Sequence, residues 1–302
     1  MVDIVLCADE AYIPYAAVVM ASAVQASATP QALRFHLLTT GISEESERRL
    51  HGMLAPSGAQ LNVVPVQADF AAGLALGRFG AASLLRLMMP RFLPEGCRRA
   101  IYLDCDVMVV DDLATLWETD LEGHAVGAVM DLCGPTVAEW KHDFASYFNS
   151  GVLLVDLERW QRDEIEEQAL AFLRHQQQPL DCPDQDALND AIGDAWARLH
   201  PRWNFQPTAY PSVEKPYPHM GEFNPGLREA IASPAVIHFI GPVKPWHAMS
   251  PHPLKHLFTD CSLLTPWPID ARALHQALPL KKRLRLKAKA HKLRRRRQMS
   301  RI

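Results

Sequence analysis

What this sequence lacks narrows the field first. No apolar run approaches the ~18 residues that a membrane-spanning helix needs, and none is expected to span. Met1-Val2-Asp3 opens the chain without a basic stretch, the first Lys or Arg being Arg34, so no secretory leader is expected either. Cysteine is sparse: Cys7, Cys97, Cys105, Cys133, Cys182 and Cys261 form no C-x-x-C pair and suit neither a zinc site nor a disulfide scaffold. A reduced, cytoplasmic protein is the expectation. There is no internal repeat. Acidic residues are absent from one stretch, 281–302, which holds twelve Lys/Arg.

What is present describes a globular enzyme-sized chain. Its 302 residues are 48% hydrophobic and 22% charged, which excludes wholesale disorder, a collagen-like repeat and a membrane bundle. The net charge of −3 conceals an asymmetry: residues 1–280 carry nineteen basic against thirty-four acidic residues, a net of −15. An acidic body argues against broad nucleic-acid contact. A basic tail suits an anionic surface.

Hydrophobic patterning orders the elements. Residues 4–8 are a short apolar run closed by Asp9, the mark of a buried strand. An Ala-rich buried helix follows at 16–24, then strands at 33–38 and 61–66. Between those strands Ser43 caps a helix running to Leu54, with Glu44 and Glu45 in its first turn. This alternation indicates a parallel α/β sheet. Farther on, 79–89 reads as a helix stopped by Pro90, and 100–103, 107–110, 123–130 and 151–156 as strands. Residues 157–175 read as one helix, 184–192 as a short helix behind Pro183, and 235–240 as a last strand, with loops expected past Pro201.

Chemistry concentrates in two places. Ile101-Tyr102-Leu103-Asp104-Cys105-Asp106 sets two carboxylates two apart, just past an apolar strand. Ligands of open α/β sheets bind at that edge, and a spacing of two aims both side chains to one side of an extended chain. Neighbouring carboxylates repel, and a divalent cation removes the repulsion. Hard oxygen donors suit Mg²⁺ or Mn²⁺, which in turn hold substrate phosphates. A solvated strand-end turn with capping aspartates has the same spacing.

The second place is Val236-Ile237-His238-Phe239-Ile240-Gly241-Pro242-Val243-Lys244-Pro245-Trp246. A histidine inside an apolar strand is most often a satisfied core residue. The residues behind it point the other way. Gly241 permits close backbone approach, Pro242 and Pro245 stiffen the loop, and Lys244 is offered as a point charge. Asp104, Asp106 and His238 form a candidate metal triad, with Lys244 as a phosphate clamp.

At these residues the chain resembles the retaining glycosyltransferases of family 8, and within it the bacterial lipooligosaccharide α-galactosyltransferases and lipopolysaccharide α-glucosyltransferases. The matching segments begin with Asp3-Ile4-Val5-Leu6-Cys7-Ala8-Asp9, Arg86-Leu87 and Tyr102-Leu103-Asp104-Cys105-Asp106. Leu116-Trp117-Glu118-Thr119-Asp120-Leu121 and Phe148-Asn149-Ser150-Gly151-Val152-Leu153-Leu154 follow. Asp184-Gln185-Asp186, Arg202-Trp203-Asn204-Phe205 and His238 to Trp246 complete the set, in family order over about residues 3–247. One Asp-x-Asp is a weak signal, whereas the ordered set is specific.

The resemblance implies a GT-A-like, doubly wound α/β domain with a mainly parallel mixed sheet over residues 1–250, binding UDP-sugar at its switch point. Residues 251–302 then form a C-terminal membrane-associating segment with the polybasic tail. It implies Mn²⁺, with Mg²⁺ as the alternative, on Asp104, Asp106 and His238, and Lys244 countering charge on the UDP leaving group. Asp9 corresponds to a uracil contact, Tyr12 to the aromatic on the base, Arg86 to a donor-sugar and carboxylate contact, and Asn149 to a sugar-hydroxyl contact. Ala8, Cys105 and Gly241 complete the donor site. Asp184 corresponds to a residue binding sugar hydroxyls, and Gln185 to one beside the reacting carbon. Read from the residues alone, Asp9 also fits a strand-end cap, Tyr12 equally a core tyrosine, Arg86 a surface helix arginine and Asn149 a turn residue. Asp184-Gln185 is equally the first turn of a capped helix.

The chain departs from the family pattern at Asp9-Glu10-Ala11, where relatives often carry Asp-Asp-Asn. Ala11 cannot hydrogen-bond the ribose, which leaves Glu10, water or a weaker affinity; Arg78 and Pro183 also depart. Retention implies either a glycosyl-enzyme on Asp184 or front-face substitution, which the resemblance favours. The expected activity is transfer of galactose or glucose from a UDP-sugar to a glycan or lipid-linked oligosaccharide, such as the lipopolysaccharide core, at the inner membrane face. Leu280, Leu284, Leu286 and Leu293 intersperse the tail's basic residues, and Trp246, Trp267, Leu257 and Phe258 are expected to add interfacial contact. A disordered solubilising tail is the plainer alternative. Two rival functions remain. A haloacid-dehalogenase-like phosphatase wants Gly-Thr where Val107-Met108 stands, and a non-catalytic metal- or nucleotide-binding module needs only the acidic pair.

Overall fold

The apolar runs form strands whose two faces are both covered. In β1 (Val2–Cys7), Ile4 and Leu6 pack on one side of the sheet and Val5 on the other, all fully buried. This is why parallel strands read as unbroken hydrophobic runs instead of alternating ones. The computed structural model describes residues 1–67, 69, 74, 80–135, 146–206 and 223–299, so Arg78 lies outside the described residues.

Among these residues one sheet runs in the order β3-β2-β1-β4-β7-β6-β8. Its members are β2 (Leu33–Thr39), β3 (Gln60–Pro65), β4 (Arg99–Leu103), β6 (Val126–Met130), β7 (Phe148–Asp156) and β8 (Ala197–Arg198). Every pairing is parallel except those of β7, which runs against both β4 and β6. The order reverses between β1 and β4, and the expected mixed, doubly wound sheet is the one observed. A second sheet pairs β5 (Val107–Val109) with β9 (Val236–His238).

Helices α1 (Ile13–Ala26) and α2 (Glu44–Leu54) follow β1 and β2, and Ser43 accepts from the Ser46 N–H as the expected N-cap. Two expected helices differ. Over 79–89 the chain forms a 3-10 helix, Ala81–Met88, followed by α3 (Met89–Phe92), and Phe79 lies outside the described residues. Pro90 does not stop a helix there. It occupies the first turn of α3, where no intrahelical N–H is required. Residues 157–175 split into α5 (Leu157–Arg162) and α6 (Ile165–His175), after the short α4 (Leu113–Trp117), with Glu164 left-handed at φ 52° between them. The apolar phase explains the break. Leu157 and Trp160 predict the next buried position at 164, but Ile165, Ala169 and Leu173 are the buried ones. Asp184 and Gln185 open α7 (Pro183–Ile192).

The carboxyl end is partly fused to the body. In the helix Lys255–Ser262, Phe258 is fully buried and Cys261 packs against the carbonyl of Val18. Trp246 stacks on Tyr15 with centroids 3.6 Å apart and also meets Phe258. Trp246 and Phe258 are therefore core residues and not interfacial ones, because their rings are already removed from solvent within the fold. Leu280–Met299 is helical, and no helix among the described residues is long and apolar enough to cross a membrane.

Candidate active site

Three parallel strands deliver an acid to one edge of the sheet: Asp9 after β1, Asp104 after β4 and Asp131 after β6. Because β7 is reversed, its first residues, Phe148 to Gly151, arrive at that same edge. The second sheet supplies the distant imidazole. Val107 pairs with His238, and the Phe239 N–H donates to the Asp106 carbonyl at 3.0 Å, which sets His238 beside the acidic pair.

Asp104, Asp106 and His238 present ligand atoms that all lie within 4.8 Å of one another. His238 Nε2 is 3.2 Å from Asp106 Oδ1 and 3.8 Å from Asp104 Oδ2. Each acid is split between two tasks. The other oxygen of Asp104 accepts from Arg86 and from the Tyr102 hydroxyl, both at 2.7 Å. The other oxygen of Asp106 pairs with the Lys244 ammonium. Burial pushes the Asp106 carboxyl up, and the Lys244 ammonium overrides that push and holds it well below the usual range. Burial lowers the affinity of Lys244 for its proton, and Asp106 more than restores it.

The donors fit a small hard cation. Two carboxylates and one imidazole nitrogen suit Mg²⁺ or Mn²⁺. Gly151 keeps the cradle open: a Cβ there would sit 2.2 Å from His238 Cε1 and 2.8 Å from Asp104 Oδ2.

Arg86 is a buried anchor and not a surface arginine. Its guanidinium bonds Asp104, Asp184 Oδ2 at 3.1 Å, and the Ser150 carbonyl and hydroxyl at 3.1 and 3.0 Å. It also lies 4.5 Å from the centre of the Tyr102 ring. Burial pushes the Asp184 carboxyl up, and Arg86 opposes that push.

Gln185 is wedged in place. Its carbonyl accepts from the Ser150 N–H at 3.0 Å, and its amide donates to Asp131 at 3.0 Å and to the Tyr147 hydroxyl at 3.2 Å. Asn149 is buried too, with its carbonyl taken by the N–H of Gly151 and the amide of Asn204, and its own amide donating to Asp131.

The remaining sequence candidates flank this cluster. Tyr12 is 46% exposed, edge-on to Tyr15 and Trp246, which rules out a core role. Asp9 caps the turn Glu10–Tyr12 through the Tyr12 N–H. Ala8 and Cys105 are buried, Cys105 Sγ pointing to the Cys7 carbonyl at 3.4 Å. Gly241 opens the Lys244 loop at φ 88°, where other residues are strained. The Glu10 carboxylate is spent on Ser43 and Ser46 at the start of α2.

Sequence reasoning missed Asp131, although it carries the signal that singled out Asp104, an acid directly past an apolar strand. It also left Asn204 without a role; that residue reaches His238 Nδ1 at 3.0 Å, a contact across 34 positions that no local pattern reveals.

Known proteins are similar to this chain. General stress protein A of Bacillus subtilis (strain 168) is 28% identical over 273 residues, covering 88% of this chain and 95% of its own. The lipopolysaccharide 1,3-galactosyltransferase of Salmonella typhimurium (strain LT2) is 22% identical over 255 residues, 78% of this chain and 71% of that one. The galactosyltransferase LgtC, solved with donor and acceptor sugar analogues, superposes with a TM-score of 0.74 at 28% identity, covering 93% of this chain and 99% of LgtC. The family model described as glycosyl transferase family 8 matches residues 3–250, which hold every residue of the cluster above, and the chain belongs to that family of glycosyltransferases.

Proposed function

We propose that this protein moves galactose or glucose from a UDP-sugar to a glycan acceptor with retention, using Mn²⁺ on Asp104, Asp106 and His238. One observation carries the reading: two half-committed carboxylates, one imidazole nitrogen and one lysine converge where the sheet order reverses, the place where open α/β sheets bind nucleotides. A divalent cation there supplies charge neutralisation for the diphosphate as the sugar departs. Lys244 provides a second positive charge on a loop pinned by the Trp246–Tyr15 stack. Tyr12 offers an exposed ring for the base. Asp184 is tied to Arg86 and Gln185 to three partners, so both orient a sugar, which favours front-face substitution over attack by a carboxylate. Salmonella's galactosyltransferase and LgtC support a hexose donor and a glycan acceptor.

A screen of UDP-sugars with and without Mn²⁺ tests this. At a hundredfold excess over Kd, UDP-galactose or UDP-glucose with Mn²⁺ is expected to raise the melting temperature by about 4 °C, and the same sugar to be transferred. A shift indifferent to Mn²⁺ for every UDP-sugar removes the metal reading.

Within 251–302 the part beyond the packed helix Lys255–Ser262 supports placement at an anionic membrane surface. Leu263 and Leu264, and Leu280 and Leu284 in the basic helix, are all more than half exposed. Each Lys or Arg near an anionic surface contributes about 1 kcal/mol. Deleting residues 281–302 is expected to abolish sedimentation with vesicles rich in anionic lipid and to spare transfer to a soluble acceptor. Undiminished sedimentation would end this reading.

A further inference from the structure

We propose that Asn204 is a positioning residue that selects the tautomer of His238, and that Asp131 dictates this choice from three side chains away. The inference rests on the metal reading above, and it assigns residues beyond the triad. The chain of amides has one permitted polarity. Asp131 Oδ2 accepts the Asn149 amide at 2.8 Å, and a carboxylate only accepts. On its other side Asn149 Oδ1 meets the Gly151 N–H at 3.1 Å, and a backbone N–H only donates. Asn149 is thereby locked with its carbonyl toward Asn204.

Asn204 then has to present its own amide to Asn149, at 2.8 Å. That leaves Asn204 Oδ1 facing His238 Nδ1 at 3.0 Å. A carbonyl oxygen accepts, so the hydrogen of the neutral ring belongs on Nδ1, and the Nε2 lone pair is left for the space between Asp104 and Asp106. Asn149, Asn204 and His238 are each at most 5% exposed, so water does not compete for these positions. Gln185 donates to the same Asp131 oxygen at 3.0 Å, which ties the residue expected beside the reacting carbon to the residues that orient the metal ligand.

Partners that orient a metal-bound histidine typically contribute 10- to 100-fold in metal affinity. Asn204→Leu keeps the branched four-atom shape and removes the acceptor. Asn204→Asp keeps an oxygen toward Nδ1, while its second oxygen meets Asn149 Oδ1 acceptor to acceptor, so its cost should appear as a lower melting temperature and not as lost metal affinity. With UDP present and folding checked by circular dichroism, Mn²⁺ titration should show a loss of about 10- to 100-fold for Asn204→Leu and a value within about threefold of wild type for Asn204→Asp. Equal losses in both variants, or none in Asn204→Leu, overturn the proposal. Should the variants not fold, long-range ¹H–¹⁵N spectra of wild type with Mg²⁺ and UDP decide it: hydrogen on Nδ1 supports the relay, and hydrogen on Nε2 refutes it. Failure of the wild type itself to bind Mn²⁺ removes the metal reading and the relay together, whereas tight wild-type binding with an unaffected Asn204→Leu removes the relay alone.

Discussion

Replacing Asp106 with asparagine is expected to lower metal-dependent sugar transfer about a thousandfold, equivalent to roughly 4 kcal/mol of lost charge stabilisation. Both oxygens of Asp106 are committed, one beside His238 Nε2 at 3.2 Å and the other to the Lys244 ammonium. An amide keeps the shape of the carboxylate and forfeits its charge. The cation site then holds one formal negative charge in place of two, and Lys244 loses the ion pair that fixes its position. The loss should fall on Mn²⁺-dependent UDP affinity, measured as a binding titration at several metal concentrations. The UDP affinity without metal should change far less than the affinity with Mn²⁺, because only the freed Lys244 alters it. A variant with undiminished Mn²⁺ dependence would show that Asp106 is a structural strand-end acid, the reading its sequence context also allowed.

The second large effect is on stability. Arg86→Met should destabilise the protein by about 3–5 kcal/mol, because it strands the buried Asp184 and the part-buried Asp104, which one guanidinium now neutralises. Asp104 and Asp184 are both paired to Arg86, at 2.7 and 3.1 Å, and Arg86 and Asp184 are each only 6% exposed. For a chain of this size the melting temperature should fall by about 5–10 °C. Adding Asp184→Asn to Arg86→Met should recover part of the loss, since the second change removes one of the stranded charges. A melting temperature within a degree of wild type, or strict additivity of the two changes, would contradict the role given to Arg86. Millimolar Mn²⁺ should stabilise Arg86→Met more than it stabilises wild type, because Asp104 is then short of positive charge.

The sequence by itself determined the layered α/β class, the early strand–helix alternation and the acidic pair past β4. These are local properties: an apolar run of five or six residues has to be covered on both faces, and a strand end exposes whatever follows it. The ordered segments from Asp3 to Trp246 also sufficed to identify the family. Only the tertiary structure decided what those groups do to one another. Nothing near His238 in sequence says that it will lie opposite Val107, because antiparallel pairing of β5 with β9 joins positions more than a hundred residues apart. The reversal of β7 is equally unreadable, since a strand buried on both faces looks the same in either direction, yet it alone brings Asn149, Ser150 and Gly151 to the site edge. Helix boundaries at 157–175 turned on a one-residue phase slip, and Arg86 became a buried anchor because two distant carboxylates converge on it. Patterning sets which residues are inside, and long-range pairing sets which of the polar ones meet.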